Sequence, residues 1–187
     1  MGLISYLILT AGAISGFLAG FTLLYRKTDS SVSFSLLMLA ASIYSFGYAF
    51  ELNADTIEEI KFWLNFEYLG ISWIPALWVI FVLQYSGKKS YLKLYYYILL
   101  LGLSATTLIL NLTNELHHLY YKNISIDSTG PYQVALLTKG FWYWVHIGYF
   151  NFSILLGNYT FIKILKNNTG SYRNQAWIML IDRKSVV

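Results

Sequence analysis

The stretch from Lys61 to Gly87, KFWLNFEYLGISWIPALWVIFVLQYSG, limits what this chain can fold into. From Phe62 to Tyr85 it stays apolar for about 24 residues, enough for a helix to cross the ~30 Å hydrocarbon core of a bilayer. Glu67 and Pro75 interrupt it. A carboxylate inside a spanning segment costs about 3 kcal/mol on insertion scales unless it faces protein or water. Proline removes a helix hydrogen bond and kinks the axis, which membrane bundles tolerate where neighbours re-satisfy the freed carbonyl. A spanning helix that is both charged and kinked is expected to line something, with the remaining chain as the wall around it.

That wall is apolar too. Hydrophobic residues make up 57% of the 187 and charged residues 12%, the latter about half the share in a soluble domain. A soluble protein so composed could not cover its surface. The absence of cysteine excludes disulfides, thiol catalysis and thiolate metal sites from this chain. Met1 to Tyr25 has no basic leader and no evident small-residue cleavage site, so a retained helix is expected there.

The apolar runs predict an all-α polytopic transmembrane helix bundle over residues 1–181. Spans are expected at about 3–25, 31–50, 62–85, 91–112 and 140–165, with a sixth starting at 176. The sixth run breaks after Ile181 into Asp182, Arg183 and Lys184. Either the chain is cut inside that helix, or the 182–187 tail is not part of the natural sequence. Gly12, Gly16 and Gly20 recur every four residues, a stripe that lets a neighbouring backbone approach. Thr113 to Lys139 is too polar to span and carries turn signals at Asp127–Gly130.

Charge sets an orientation. Arg26, Lys27, Lys88, Lys89, Lys93, Lys163, Lys166 and Arg173 follow the first, third and fifth spans. The other side holds Lys61, Lys122 and Lys139 with nearly all the acids. The positive-inside rule then puts the N-terminus outside, in a multi-pass protein of the cell membrane. The net charge of +4 reads as topology, not as a nucleic-acid patch.

Two ionisable residues fall inside spans. Glu67 lies near the outer end of the third, and His146, in GFWYWVHIGYF, near the outer end of the fifth. At ~1.5 Å per residue both sit within about 10 Å of the outer surface, so one depth brings them face to face. Helical spacing adds Trp63, Gly70, Ile71 and Ile74 to the face of Glu67, and Trp142, Tyr149, Phe150 and Ser153 to that of His146. This set makes an aromatic-lined cavity open to the outside; the alternative is an interhelical hydrogen bond worth about 1 kcal/mol that only fixes packing. Glu115, His117 and His118 suggest metal ligands superficially, but adjacent histidines diverge and no further His or Cys lies nearby. With no phosphate loop, nucleophile elbow or zinc-binding helix, neither enzymatic activity nor a cofactor is expected.

The run FEYLGISWIPALWVIFVLQYSG, then LTNELHHLYY, GPYQ through FWYWVHIGY, and YRNQA resemble the N-terminal seven-helix membrane domain of bacterial and archaeal sensor histidine kinases. The resemblance covers Lys61 to Trp177 in order. It places Glu67, Tyr68, Gly70, Pro75, Trp78, Tyr85, His117, His118, Trp144, His146 and Tyr149 on motif positions. It implies an outside N-terminus, two further helices, and PAS and kinase modules joined in cis on the cytoplasmic side, with room for a homodimer. The expected function is a signal-input module detecting an extracellular or membrane-borne stimulus, a small molecule or the lipid bilayer itself. The competing class is a substrate-binding membrane subunit of a transporter, and a third is a plain structural anchor.

Overall fold

The structure, a computed structural model, describes residues 2–26, 28–127 and 134–167. The sixth run from Ala176, the YRNQA segment and the 182–187 tail lie outside the described residues.

The described chain is mainly helical: α1 (Leu3–Leu24), α2 (Asp29–Glu51), α3 (Ile57–Ile71), α4 (Ile74–Tyr85), α5 (Leu94–Leu112), α6 (Asn114–His117) and α7 (Phe141–Asn167). Between α6 and α7 run β1 (Tyr121–Asp127) and β2 (Val134–Lys139). Helix starts are written locally. Thr28 caps α2 by accepting from the Ser31 amide, and Thr56 caps α3 by accepting from Glu59 N at 3.2 Å. Glu59 reaches back to the Asp55 amide at 2.9 Å, a variant of the reciprocal capping box.

Among the described residues, four helical stretches are long and apolar enough to cross a membrane: α1, α2, α3 with α4 taken as one, and α5. The fifth expected span corresponds to α7, whose 27 residues suffice in length. Its tyrosines, asparagines and His146 keep it out of that apolar set. Five full spans and the start of a sixth therefore reduce here to four clear ones and a more polar fifth helix. Exposed rows on α1 (Leu3, Leu7, Phe17, Leu24), α5 (Leu94, Ile98, Ile109) and α7 (Phe152, Leu155) give the lipid-facing surfaces.

The central span breaks just before Pro75, where the kink is expected, with Ser72 and Trp73 still in the right-handed helical region. It starts at Ile57, stops at Ile71, and resumes at Ile74. Pro75 falls in the first turn of α4, where a missing N–H costs nothing. Ser72 donates to Tyr68 O at 2.6 Å and Trp73 N to Gly70 O at 3.0 Å, closing α3 before the proline.

Small residues let the helices close up. Gly12 and Gly16 face Ser45 and Ser42, and Ser42 Oγ donates to Gly12 O at 2.8 Å across the α1–α2 seam. Gly20 has no neighbour to admit. At the α2–α3 seam Gly70 lies against the Ala40 carbonyl, and a Cβ there would overlap it. At the far end of the bundle Trp78 covers Gly157, and Phe81, Val82, Leu37 and Phe161 form the core joining α2, α4 and α7.

The polar connector folds as well. β1 and β2 pair antiparallel from Tyr121↔Lys139 to Asp127↔Val134, with an irregularity between Tyr121 and Asn123. Ile124, Ala135 and Leu137 from this hairpin pack on Ala54, Ile60 and Leu64. It thus roofs the first half of α3, next to Glu67.

Candidate functional site

Under that roof lies a cavity of about 410 Å³. Each helix contributes residues at three- or four-residue spacing, the repeat of one helical face. These are Tyr44, Tyr48 and Glu51 from α2; Leu64, Glu67, Tyr68 and Ile71 from α3; and Tyr143, His146, Ile147 and Phe150 from α7. Tyr121, Ala135, Leu137 and Lys139 close it from the hairpin.

Glu67 is 5% exposed, and its Oε1 has no hydrogen-bond partner. Its placement depends on Gly47, where a Cβ would come within 2.5 Å of Glu67 Cγ. The half-buried Glu51 brings a second carboxyl within hydrogen-bonding reach of the first. Tyr44 and Tyr48 stack in parallel above them, ring centroids 6.0 Å apart and planes within 8°.

His146, 3% exposed, is held on one side only. Its Nδ1 lies 2.7 Å from the hydroxyl of Tyr120, while Nε2 is buried without a partner. Tyr120 is fixed in turn by Asn114, whose Oδ1 accepts from the Tyr120 and Tyr121 amides at 3.0 Å each and whose Nδ2 donates to Tyr121 O at 2.9 Å. The Tyr121 hydroxyl meets that of Tyr68 at 2.9 Å. Burial pushes the phenols of Tyr120 and Tyr121 above their ordinary range, so both remain hydrogen-bonding hydroxyls. The turn before them uses His118 in the left-handed region, φ 53°. His117 organises this turn: its Nδ1 accepts from Leu119 N at 3.0 Å, so its Nε2 carries the proton facing Thr113 Oγ1 at 3.1 Å.

Of the ten residues placed on the two faces from sequence, Glu67, Ile71, His146 and Phe150 line this cavity. The other six sit elsewhere. Trp63 stacks on Phe50 at 4.7 Å, beside the hairpin. Gly70 is spent on the α2–α3 seam, and Ile74 packs in the α2–α4–α7 core. Trp142 Nε1 donates to Thr107 Oγ1 at 3.1 Å and Tyr149 Oη to Leu100 O at 3.1 Å, both on α5. Ser153 is fully buried further along α7. The residues missed from sequence include Tyr44, Tyr48 and Glu51, whose i, i+4, i+7 spacing already marks one face of α2.

A second cavity, about 450 Å³, lies on the other side of Leu64 and Tyr121, which line both. Its wall is polar, with Asn65, Asn111, Asn114 and Asn123. The Lys61–Glu115 ion pair, 2.7 Å, spans its rim, and the Lys61 ammonium holds the Glu115 carboxyl below the usual carboxylate range.

Residues 7–181 match the family described as the N-terminal 7TM region of histidine kinase. The chain belongs to that family. This 7TM region is therefore a membrane-embedded, multi-pass sensor, linked in the full-length protein to a cytoplasmic kinase. No curated protein and no solved structure matches it. Within the 7TM region, the match takes in every residue of the cavity wall.

Proposed function

We propose that this 7TM region receives an external stimulus in the cavity between α2, α3, α7 and the hairpin, and that it is itself non-catalytic. One observation carries the reading. Two ionisable side chains from different helices, Glu67 and His146, each bring a buried polar atom without a protein partner to the same cavity. Such groups are costly in a membrane unless an occupant or water completes them.

The same reading puts the N-terminus outside, so that the hairpin and the cavity face outward. Its support is the clustering of Arg26, Lys88, Lys89, Lys93 and Lys163 at the opposite end. The outer half of α7 (Tyr143, His146, Phe150) touches the cavity, and its inner half (Gly157, Phe161) packs on α4. An occupant that moves the outer half pivots the inner half about Trp78, and the kinase responds by population shift.

Two cysteine experiments test this in the full-length protein. For topology, an impermeant thiol reagent should label Asn123→Cys but not Ser90→Cys in intact cells; the reverse would invert the orientation. For function, attaching the reagent at Ala135→Cys, inside the cavity, should change kinase autophosphorylation, whereas attachment at the exposed Asn123→Cys should not. Complete labelling of Ala135→Cys with unchanged autophosphorylation sinks the cavity as the receiving site.

A further inference from the structure

We propose that the occupant of this cavity is a small organic cation, an amine or quaternary ammonium on an apolar or aromatic body, held between tyrosine rings above Glu51 and Glu67. The inference rests on the cavity being the receiving site and adds the chemistry of what it receives.

The first argument is a buried oxygen left open between two carboxyls: Glu67 Oε1 has no hydrogen-bond partner, and the Glu51 carboxyl lies within hydrogen-bonding reach of the same side chain. The nearest buried hydroxyls are paired, Tyr68 with Tyr121 and Tyr120 with His146 Nδ1, and do not reach it. An apolar occupant would leave that oxygen as it is, and an anion would meet two carboxyls side by side. A cation answers both through its charge, and a protonated amine can also donate an N–H to the open oxygen.

The second is that no cation of the protein takes the place. Lys139 is the cavity's one basic lining residue besides His146, and it is exposed at the rim. Among the described residues it forms no ion pair with Glu51 or Glu67; its ammonium stands instead over the Tyr143 ring, 5.5 Å from the centroid. The wall thus already contains one cation seated on a ring face.

The third is the aromatic lining. Tyr44 and Tyr48 stack in parallel on α2, and Tyr121 and Tyr143, centroids 6.1 Å apart, form a neighbouring tilted pair in the wall. Ring faces attract an ammonium through their quadrupole, more strongly where water is excluded. A cavity of about 410 Å³ suits a ligand of one ring and one ammonium head.

The test uses the full-length protein in membrane vesicles, with Ala135→Cys as the reporter and phenyltrimethylammonium as the probe. Its neutral isostere tert-butylbenzene and the anion benzenesulfonate are the comparisons. Phenyltrimethylammonium should slow thiol modification at concentrations roughly 5- to 30-fold below those of the isostere, the gain of one or two ring–cation contacts. Benzenesulfonate should not protect. Glu51→Gln and Glu67→Gln, each near-isosteric and separately made, should remove that advantage. Equal or better protection by the isostere or the anion overturns the cation, as does protection by none of the three. Either result leaves the receiving site standing if thiol attachment at Ala135→Cys still changes autophosphorylation.

Discussion

Gly70→Ala puts the geometry of the α2–α3 seam under test. A Cβ at position 70 would overlap the Ala40 carbonyl oxygen and sit 3.0 Å from Tyr44 N, so the obstruction is backbone and cannot rotate away. Carbon–oxygen contacts settle near ~3.3 Å, and reaching that distance requires the two helices to part by roughly 1 Å. Overpacking of this kind costs about 1–3 kcal/mol. At roughly 2–4 °C per kcal/mol for a chain of this length, the midpoint should fall by about 2–12 °C. The control is Gly102→Ala, where a Cβ meets nothing within 4 Å. Helix propensity then acts alone, stabilising by up to about 1 kcal/mol. The assay is thermal unfolding in detergent, followed by near-UV circular dichroism and by retention of a monodisperse chromatographic peak. The parting helices carry Tyr44 away from Glu67, so Gly70→Ala should also weaken any protection of Ala135→Cys. A Gly70→Ala midpoint equal to or above that of Gly102→Ala would refute the close approach.

Tyr120→Phe removes the hydroxyl that pairs with His146 Nδ1; stranding that buried nitrogen should cost about 1–3 kcal/mol, read as a lower midpoint in the same assay. Gly157→Ala drives a methyl into the Trp78 indole; it should shift tryptophan emission and destabilise, and the Trp78→Phe background should shrink the loss, a coupling that a double-mutant cycle measures. The Lys61–Glu115 pair sets a sign with pH. Because the folded carboxyl titrates below its ordinary value, its contribution is full above the ordinary carboxylate range and is lost as pH falls through the lower folded value. The protection factors of the Tyr120 and Tyr121 amides, exchange rates divided into the intrinsic rate at each pH, should therefore hold steady from pH 7 to 5 and drop only in stronger acid; a drop near pH 6 would assign the change to another group.

Apolarity and length are what made the membrane helices legible, since no other arrangement hides so much hydrocarbon in so short a chain. The break at Ser72–Trp73 was not, because a proline in an apolar run reads alike as a kink and as a first-turn residue. Only the Ser72 and Trp73 hydrogen bonds decide between them. The hairpin was hidden by its brevity: YKNISID and VALLTK alternate, but over too few residues to stand out from a polar connector. At the cavity the error has a pattern. Trp63 and Trp142 were chosen by spacing where the wall holds Leu64 and Tyr143, each one position later, and of the chosen neighbours Gly70–Ile71 and Tyr149–Phe150 only the later residue lines it. Helical side chains lean toward the N-terminus, so a given patch of surface is covered by a residue about one place further along. Glu51 escaped notice for another reason: at the last residue of α2 it reads as the start of an acidic loop.

The gap between Ile71 and Ile74 gives the central span a mechanical character unlike its neighbours. A continuous helix hands a tilt at one end to the other like a rod; two helices joined by a two-residue hinge behave as separate links. One link, α3, holds Glu67 and Tyr68, and the other, α4, holds Trp78 and Phe81. Running past both is α7, unbroken over 27 residues, with His146 beside the first link and Phe161 against the second. On the proposed reading, displacement at the cavity would bend the jointed pair at Ser72–Trp73 while α7 passes it along its length to the Trp78–Phe161 contact. The proline-bearing segment would then serve as fulcrum and the unbroken helix beside it as lever.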